Sequence, residues 1–333
     1  MVNIPGFVDL QVNGFLGVDF SSPDLTEEGI IYACRGLLRR GTAAFLITLI
    51  TSPEQVYQHN LPLLAKVMDR KEFQGHLLGF HLEGPFISPL PGAVGSHNPE
   101  FVRNPDIGLF RKMLDWGDRR VRLLTLAAEL PGADELTHFT TSQGVAVSIG
   151  HSMFTEEDLE RLVKVGATAL THLGNGLPNL LPRHPNPIWA GVANDSLTAM
   201  IIADGHHLPS QVIKTCLYAK GADKTVIVSD AAPVAGLPPG SYTTLGNEAI
   251  LDESGRLYNP VKQCLVGSSS TLLQCMNHLA SLDIASEEEM VKMGFYNPLK
   301  LIGLESNSIP WDHNVYYDEG EYTFILGEDT NIR

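Results

Sequence analysis

The chain has 333 residues, of which 44 % are hydrophobic and 18 % are charged, and its formal net charge is −15. This apolar content excludes a disordered chain, and the length allows two domains or one large barrel with additions. The acidic balance argues against nucleic acid and anionic membranes as partners, but it leaves room for a small anionic ligand in a local cationic pocket.

The sequence carries no recognisable targeting or membrane segment. The longest apolar stretch, around Thr42 to Leu49, is far shorter than the roughly 18 residues that a membrane helix needs, and the start has no basic region. The four cysteines lack metal-binding spacing, which is typical of reduced core residues in a reducing compartment. We therefore expect a cytoplasmic protein.

Short apolar runs rich in Val, Ile and Thr alternate with stretches of helical period. The predicted strands are Gly6–Asn13, Thr42–Thr48, His76–Leu82, Val121–Ala127, Val145–Ile149, Thr168–His172, Thr198–Ala203 and Thr225–Ser229. The helices predicted between them are Thr26–Arg39, Pro53–Arg70, Phe110–Trp116, Thr155–Val165 and Ser210–Tyr218. Strands this apolar are typical of parallel sheets buried on both faces, so eight β/α units predict a closed (β/α)₈ barrel or an open doubly wound sheet.

Polar side chains at the ends of the runs favour the barrel. They are Gln11 and Asn13, Thr48, Glu83, Glu129, His151, His172, Asp204 and Asp230. In a barrel these ends converge on one mouth, whereas an open sheet spreads them along a line. A repeated ionisable residue at the end of a core strand therefore predicts a barrel with its active site at that mouth.

After Asp230 the pattern changes. Turn sequences bracket a hairpin insertion predicted at Tyr242 to Leu257. The helices predicted after it are Ser269–Ser281, Ser286–Met293 and Pro298–Leu301, and the tail predicts short strands at Val315–Tyr317 and Tyr322–Leu326.

Glu83, His151 and His172 end three of the runs and suit a metal ion. One carboxylate and two imidazoles are the ligand count of catalytic Zn²⁺, which keeps a fourth position for water, and iron(II) or another divalent ion also fits. The alternative for each histidine is a hydrogen-bonded core residue. Because the first run has Gln11 and Asn13 in place of an H-x-H motif, we expect one ion.

Asp230 ends the eighth run and is the candidate general acid/base. A carboxylate facing the metal takes a proton from water that the ion has made acidic, and later returns it to the leaving group. The alternative is an Asp that caps a helix N-terminus.

Loops near the predicted mouth supply candidate substrate contacts. His97 lies in a Gly/Pro-rich loop after Glu83, one of the two histidines after Asp204 reaches the ligand, and Arg183 is a candidate for a phosphate. The stretch after Gly267 opens a helix whose N–H groups suit an anion or an oxygen ligand. The alternatives are surface placement, a solvated Arg and ordinary N-capping.

Together these motifs resemble the N-acetylglucosamine-6-phosphate deacetylases of the amidohydrolase superfamily. The segments that carry the resemblance, in the family's order, are Pro5 to Gly14, His81 to Pro85, Gly150 to Ser152, Thr171 to Asn175 and Ser229 to Ala231. It covers about Pro5 to Gly303 and implies metal-dependent hydrolysis of the acetamide of an amino-sugar phosphate, in amino-sugar catabolism. A homodimer is expected from the resemblance alone.

The resemblance assigns the site residue by residue. It implies Glu83, His151 and His172 as metal ligands, Asp230 as acid/base, and Gln11 and Asn13 as the pair of the single-metal branch. The implied substrate contacts are Ser96, His97, Asn175, Gly176, Arg183, His207 after Asp204, and the main chain of Leu265, Val266 and Gly267.

The chain also departs from the family. Members usually carry strands before the segment that begins here at Pro5, so the small β-sandwich is expected to be reduced or missing. We therefore expect two parts, a barrel over residues 1–303 and a tail with short strands over 304–333, the remnant of the small β domain. Gly174 and Gly176 replace larger residues, which predicts a roomier pocket floor. Two alternatives to this activity are another amidohydrolase acting on a different N-acyl or cyclic amide, and a non-catalytic sugar-phosphate-binding barrel.

Overall fold

A computed structural model describes residues 3–311 and 314–327. Its central feature is a sheet of eight parallel strands, which we label in chain order. They are β1 (Phe7–Val12), β2 (Thr42–Ile50), β3 (Leu77–Glu83), β4 (Val121–Leu126), β5 (Ala146–Ile149), β6 (Ala169–Leu170), β7 (Thr198–Ile202) and β8 (Thr225–Val228). Each strand pairs with the next in the chain, so the predicted order of β/α units is confirmed.

The sheet closes on itself between its first and last strands. A parallel bridge joins Val12 at the end of β1 to Ala231 just beyond β8, and the Asn13 N–H donates to the Ala231 carbonyl at 2.9 Å. Closure brings the C-terminal ends of all eight strands to one mouth. The barrel prediction is therefore confirmed, and the open sheet is excluded.

Helices follow the strands around the barrel. They are α1 (Glu27–Leu38), α2 (Glu54–Met68), α3 (Ile107–Trp116), α4 (Ala133–Ser142), α5 (Glu156–Lys164), α6 (Pro187–Ala193), α7 (Ser210–Lys220), α8 (Leu272–Ser281), α9 (Glu287–Val291) and α10 (Asn297–Leu301). The sequence pattern missed α4 and α6. Thr and polar residues dilute the apolar stripe of α4, and α6 has only seven residues in a Pro-rich stretch. In the described part of the chain, no helix has both the length and the apolar character needed to cross a membrane.

An inserted sheet lies between β8 and α8. It is larger than the predicted hairpin, with four antiparallel strands at Gly240–Thr244, Asn247–Leu251, Leu257–Asn259 and Cys264–Leu265. Leu245, Leu251 and Leu257 pack with Ile50 of β2 and with Val266 in a small apolar cluster. This cluster fixes the inserted sheet against the barrel mouth.

A three-stranded sheet gathers the two ends of the described chain. Asn3–Ile4 pairs with Val315–Asp318, which pairs with Thr323–Leu326, all antiparallel. The Phe324 ring contacts the Phe7 ring of β1 edge to face, with centroids 5.0 Å apart. The C-terminal strands thus find a partner in the N-terminal segment, while the division at residue 303 stays a prediction.

Candidate metal centre and substrate cavity

Three of the candidate residues share an unusual backbone conformation at the barrel mouth. His151, His172 and Asp230 each stand two residues beyond the end of their strand, with φ of 47°, 30° and 51°. Positive φ is strained for residues with a side chain, and such strain clusters at functional sites. At these three positions the chain turns sharply, and all three side chains line the same cavity.

Glu83, His151 and His172 meet at the centre of the mouth. Glu83 Oε1 lies 2.9 Å from His172 Nε2 and 3.3 Å from His151 Nε2, and the two Nε2 atoms are 3.1 Å apart. Their side chains are only 3–7 % exposed. The His151 Nδ1–H donates to the Ala93 carbonyl at 2.8 Å, so Nε2 is the ring nitrogen that faces the cluster, and it carries the lone pair when the ring is deprotonated for metal binding. This donor set fits a divalent cation.

His97 is the fourth member of the cluster. Its Nε2 lies 3.2 Å from His151 Nε2 and 3.7 Å from Glu83 Oε2, so Glu83, His97 and His151 also form a group compact enough for a metal ion. However, His97 Nδ1 accepts the Thr51 N–H at 3.4 Å, which leaves the proton of the neutral ring on Nε2. A protonated nitrogen has no lone pair for a cation, so this hydrogen bond favours a donor role for His97.

Burial and neighbouring charge shift the pKa values of the cluster. For Glu83, burial alone would raise the pKa, but hydrogen bonds from His151 and His172 outweigh it and hold the pKa well below its usual value. Burial, followed by the charge of His151, lowers the pKa of His97 to about 3. Burial and then the charge of Glu83 raise the pKa of Asp230 to about 6. At neutral pH, Asp230 is therefore ionised yet close to its proton-binding range, as a general base requires.

Two amides of β1 hold the carboxylates in place. Gln11 Nε2 donates to Glu83 Oε1 at 2.8 Å and to Asp230 Oδ1 at 3.0 Å, and Asn13 Nδ2 donates to Asp230 Oδ1 at 2.7 Å. These donors place two buried carboxylates side by side without a histidine pair on β1. Gln11 and Asn13 therefore act here as hydrogen-bond donors to the carboxylates, and the expectation of one metal ion stays a prediction.

A cavity of about 340 Å³ opens above the cluster. Twelve predicted site residues line it: Asn13, Glu83, Ser96, His97, His151, His172, Asn175, Gly176, His207, Asp230, Leu265 and Gly267. Four others do not line it. Gln11 is buried and bonded to both carboxylates, Asp204 contacts His207, Val266 is fully buried in the apolar cluster, and Arg183 is exposed.

His207 is oriented by Asp204. The Asp204 Oδ2 and His207 Nδ1 atoms are 2.8 Å apart, and Asp204 Oδ1 accepts the N–H groups of His206 and His207 at 2.9 Å each. Burial would raise the pKa of Asp204, but the His207 hydrogen bond and charge lower it well below the usual value. The pair leaves His207 Nε2 as the free polar edge of the ring, and His207, unlike His206, lines the cavity.

Sequence reasoning missed the cavity residues of the inserted sheet. Leu245, Arg256, Gln263 and Cys264 line the cavity from this sheet or its connecting loops. No local pattern shows where an insertion docks, so no signal in the sequence pointed to these four residues. The cavity is also lined by Ile50, Gly92, Gly95, Gly174, Leu177 and Asn179.

The two glycines of the pocket floor have close neighbours, and the expectation of a roomier floor stays a prediction. A Cβ atom at Gly176 would lie 2.9 Å from His151 Nδ1, and one at Gly174 would lie 2.9 Å from Leu208 Cδ2. The imidazole of His151 and the side chain of Leu208 therefore occupy the space beside these glycines. Both have positive φ, which glycine adopts without strain.

Comparisons with known proteins are consistent with this geometry. No protein-family model matches the chain. The chain is 34 % identical over 345 residues to the N-acetylglucosamine-6-phosphate deacetylase of Homo sapiens, covering 97 % of this chain and 82 % of that protein. The deacetylase of the same name from Danio rerio is 33 % identical over 312 residues, covering 90 % of this chain and 75 % of that protein. An N-acetylgalactosamine-6-phosphate deacetylase of Escherichia coli O157:H7 is 28 % identical over 304 residues, covering 90 % and 78 %.

Solved structures of deacetylases of this name have the same fold. The N-acetyl-D-glucosamine-6-phosphate deacetylase from Mycobacterium smegmatis matches with a TM-score of 0.86 at 26 % identity, over 98 % of this chain and 86 % of that one. The N-acetylglucosamine-6-phosphate deacetylase from Thermotoga maritima matches with a TM-score of 0.83 at 27 % identity, over 97 % of this chain and 86 % of that one. Fold and site together define a (β/α)₈-barrel hydrolase of the amidohydrolase superfamily. With a third of its residues identical over at least nine tenths of its length, the chain belongs to the N-acetylglucosamine-6-phosphate deacetylase family.

Proposed function

We propose that this chain hydrolyses the acetamide of N-acetylglucosamine 6-phosphate to glucosamine 6-phosphate and acetate, in amino-sugar catabolism. The observation that carries the proposal is the convergence of Glu83, His151 and His172 opposite Asp230 in one cavity at the barrel mouth. The family supplies the substrate class, since the relatives above are named for this deacetylation. A free cytoplasmic metabolite suits a chain whose four cysteines are all free thiols.

Glu83, His151 and His172 would hold one divalent ion, with zinc as the first choice and iron(II) as the second. Such an ion polarises a carbonyl and lowers the pKa of water. The contact of His151 Nδ1 with the Ala93 carbonyl leaves His151 Nε2 to bind the ion. His97 is not part of this ligand set, because its Nε2 carries a proton. His97 donates that Nε2–H to the acetyl carbonyl oxygen, where negative charge develops as water attacks.

Asp230 moves the proton. It takes one proton from the attacking water as the new C–O bond forms, and it gives that proton to the amine nitrogen as the C–N bond breaks. Its neighbours suit both steps, since Gln11 and Asn13 stabilise the ionised form while burial keeps the protonated form accessible. The products are acetate and the free amine.

The remaining cavity residues bind the sugar phosphate. Ser96, Asn175 and Gly176 would contact the sugar, the main chain of Leu265 to Gly267 would contact the substrate, and His207, fixed by Asp204, would help to hold the phosphorylated sugar. Arg183 remains a predicted phosphate ligand. In that role its side chain would have to reach a substrate cavity from the exposed loop in which it lies. A homodimer is part of this proposal on the family's pattern.

Acetate release from N-acetylglucosamine 6-phosphate tests the proposal. We expect turnover that a chelator removes and Zn²⁺ restores, and that Asp230→Asn lowers by at least about 100-fold. Absence of acetate from a metal-loaded, monodisperse sample would refute the deacetylase function. The galactosamine epimer is assayed in parallel, because a relative carries that name. A higher kcat/KM on the epimer would transfer the assignment to it.

A further inference from the structure

Arg256 is the one lysine or arginine among the described residues that line the cavity. It lies between two strands of the inserted sheet, directly before Leu257–Asn259. The mechanism above does not use it, and no motif of the sequence singled it out.

The backbone around Arg256 is fixed close to His207. Asp252 Oδ1 accepts the Arg256 N–H at 3.1 Å and the Ser254 N–H at 2.9 Å, so the turn has a defined shape. The Ser254 carbonyl lies 3.1 Å from His206 Nε2, next in sequence to the histidine that lines the cavity. The turn therefore contacts the segment that carries His207, and both Arg256 and His207 line the cavity.

The guanidinium of Arg256 is oriented but not neutralised. Its Cζ lies 4.8 Å from the centre of the Tyr258 ring, a cation–π contact that holds the plane and leaves the N–H edges free. Among the described residues, no carboxylate forms an ion pair with it. A guanidinium with free N–H edges matches the bidentate geometry of a phosphate.

A phosphate on the substrate would need a cationic partner in the cavity. Of the described residues that line the cavity, Arg256 is the one whose side chain carries a fixed positive charge. A phosphate monoester carries between about 1.5 and 2 negative charges at neutral pH. Arg256 offers such a group a charge-assisted, bidentate contact that no other described residue lining the cavity can make.

We propose that Arg256 of the inserted sheet binds the phosphate of the substrate together with His207, and so sets the preference for phosphorylated over unphosphorylated N-acetyl sugars. This inference rests on the proposed function and deepens it. It assigns the inserted sheet a role in specificity, because the sheet supplies a cationic side chain that lines the cavity.

The test compares N-acetylglucosamine 6-phosphate with N-acetylglucosamine as substrates. We expect Arg256→Gln to raise KM for the phosphorylated sugar about 10- to 100-fold, the range of a charge-assisted hydrogen bond, while kcat stays within about two-fold. The kcat/KM for the unphosphorylated sugar should stay unchanged, and Arg256→Lys should recover part of the lost preference. Lys214→Gln is the matched control, since Lys214 lies over the Tyr218 ring on α7 at 5.5 Å, outside the cavity.

Three outcomes separate the possibilities. A preference ratio that Arg256→Gln leaves unchanged overturns the proposal, and so does an equal loss on both substrates, which a purely structural role produces. If the wild-type protein releases no acetate, the proposed function fails instead. In that case calorimetric titration with glucosamine 6-phosphate and glucosamine still tests Arg256, because only the phosphorylated ligand should lose affinity in Arg256→Gln.

Discussion

Asp9 offers a test of how the barrel interior supports the mouth. It stands in the middle of β1 and is fully buried, and its carboxylate accepts hydrogen bonds from the Ser229 hydroxyl and from the N–H groups of Ser229 and Gln11. Burial raises the pKa of Asp9 from 3.8 to about 7, and these hydrogen bonds offset only part of the rise. The carboxylate links β1 to the residue before Asp230.

A raised pKa in the folded state makes stability fall as pH rises. The folded chain holds the Asp9 proton more tightly than the unfolded chain, so the stabilisation is complete below about pH 4 and is lost as pH rises to about 7. Between pH 5 and pH 8 the loss amounts to about 3 kcal/mol. Asp9→Asn removes the titrating group and retains an oxygen that accepts both N–H groups. Its free energy of unfolding, relative to wild type, should therefore rise by about 3 kcal/mol from pH 5 to pH 8.

Urea denaturation of the metal-free proteins at the two pH values, followed by circular dichroism, measures this change. Asp24→Asn is the control, because Asp24 is exposed and its side chain should contribute no comparable difference. A stability difference between Asp9→Asn and wild type that is the same at both pH values would refute the reasoning, since no proton would then be held by the buried carboxyl.

Two further predictions concern the cavity wall. Asp204→Asn removes the negative charge next to His207, and we expect KM for the phosphorylated sugar to rise about 10- to 100-fold with a smaller change in kcat. Steady-state acetate release measures both constants, and an unchanged KM would contradict the role of the Asp204–His207 pair. Gly267→Ala places a Cβ atom 2.9 Å from the Asp230 carbonyl oxygen at φ +66°, so it should destabilise the fold by about 1–3 kcal/mol in urea denaturation and lower kcat. Gly246→Ala, at φ +70° with open space around the Cβ position, should cost less, and an equal loss would count against the steric argument.

The inserted sheet shows where sequence reasoning reached its limit. The pattern predicted a hairpin from Tyr242 to Leu257, and the structure has four strands from Gly240 to Leu265. Alternation within a strand reveals that one face is buried, but not against which part of the molecule it packs. This sheet docks on the barrel because Leu245 and Leu257 pack with Ile50, which lies in a strand some 200 residues away. The same packing places Arg256 in the cavity.

The sequence alone determined the barrel and the nature of the cluster at its mouth. Buried strands are recognisable from their local apolar runs, and parallel strands in a closed barrel must bring their ends together. Glu83, His151, His172 and Asp230 could therefore be expected at one site from the sequence alone. Only the tertiary structure decided the finer chemistry. Which imidazole nitrogen of His97 carries the proton depends on Thr51, and the absence of Arg183 from the cavity depends on the course of its loop. These contacts join segments far apart in the chain, where no local periodicity acts.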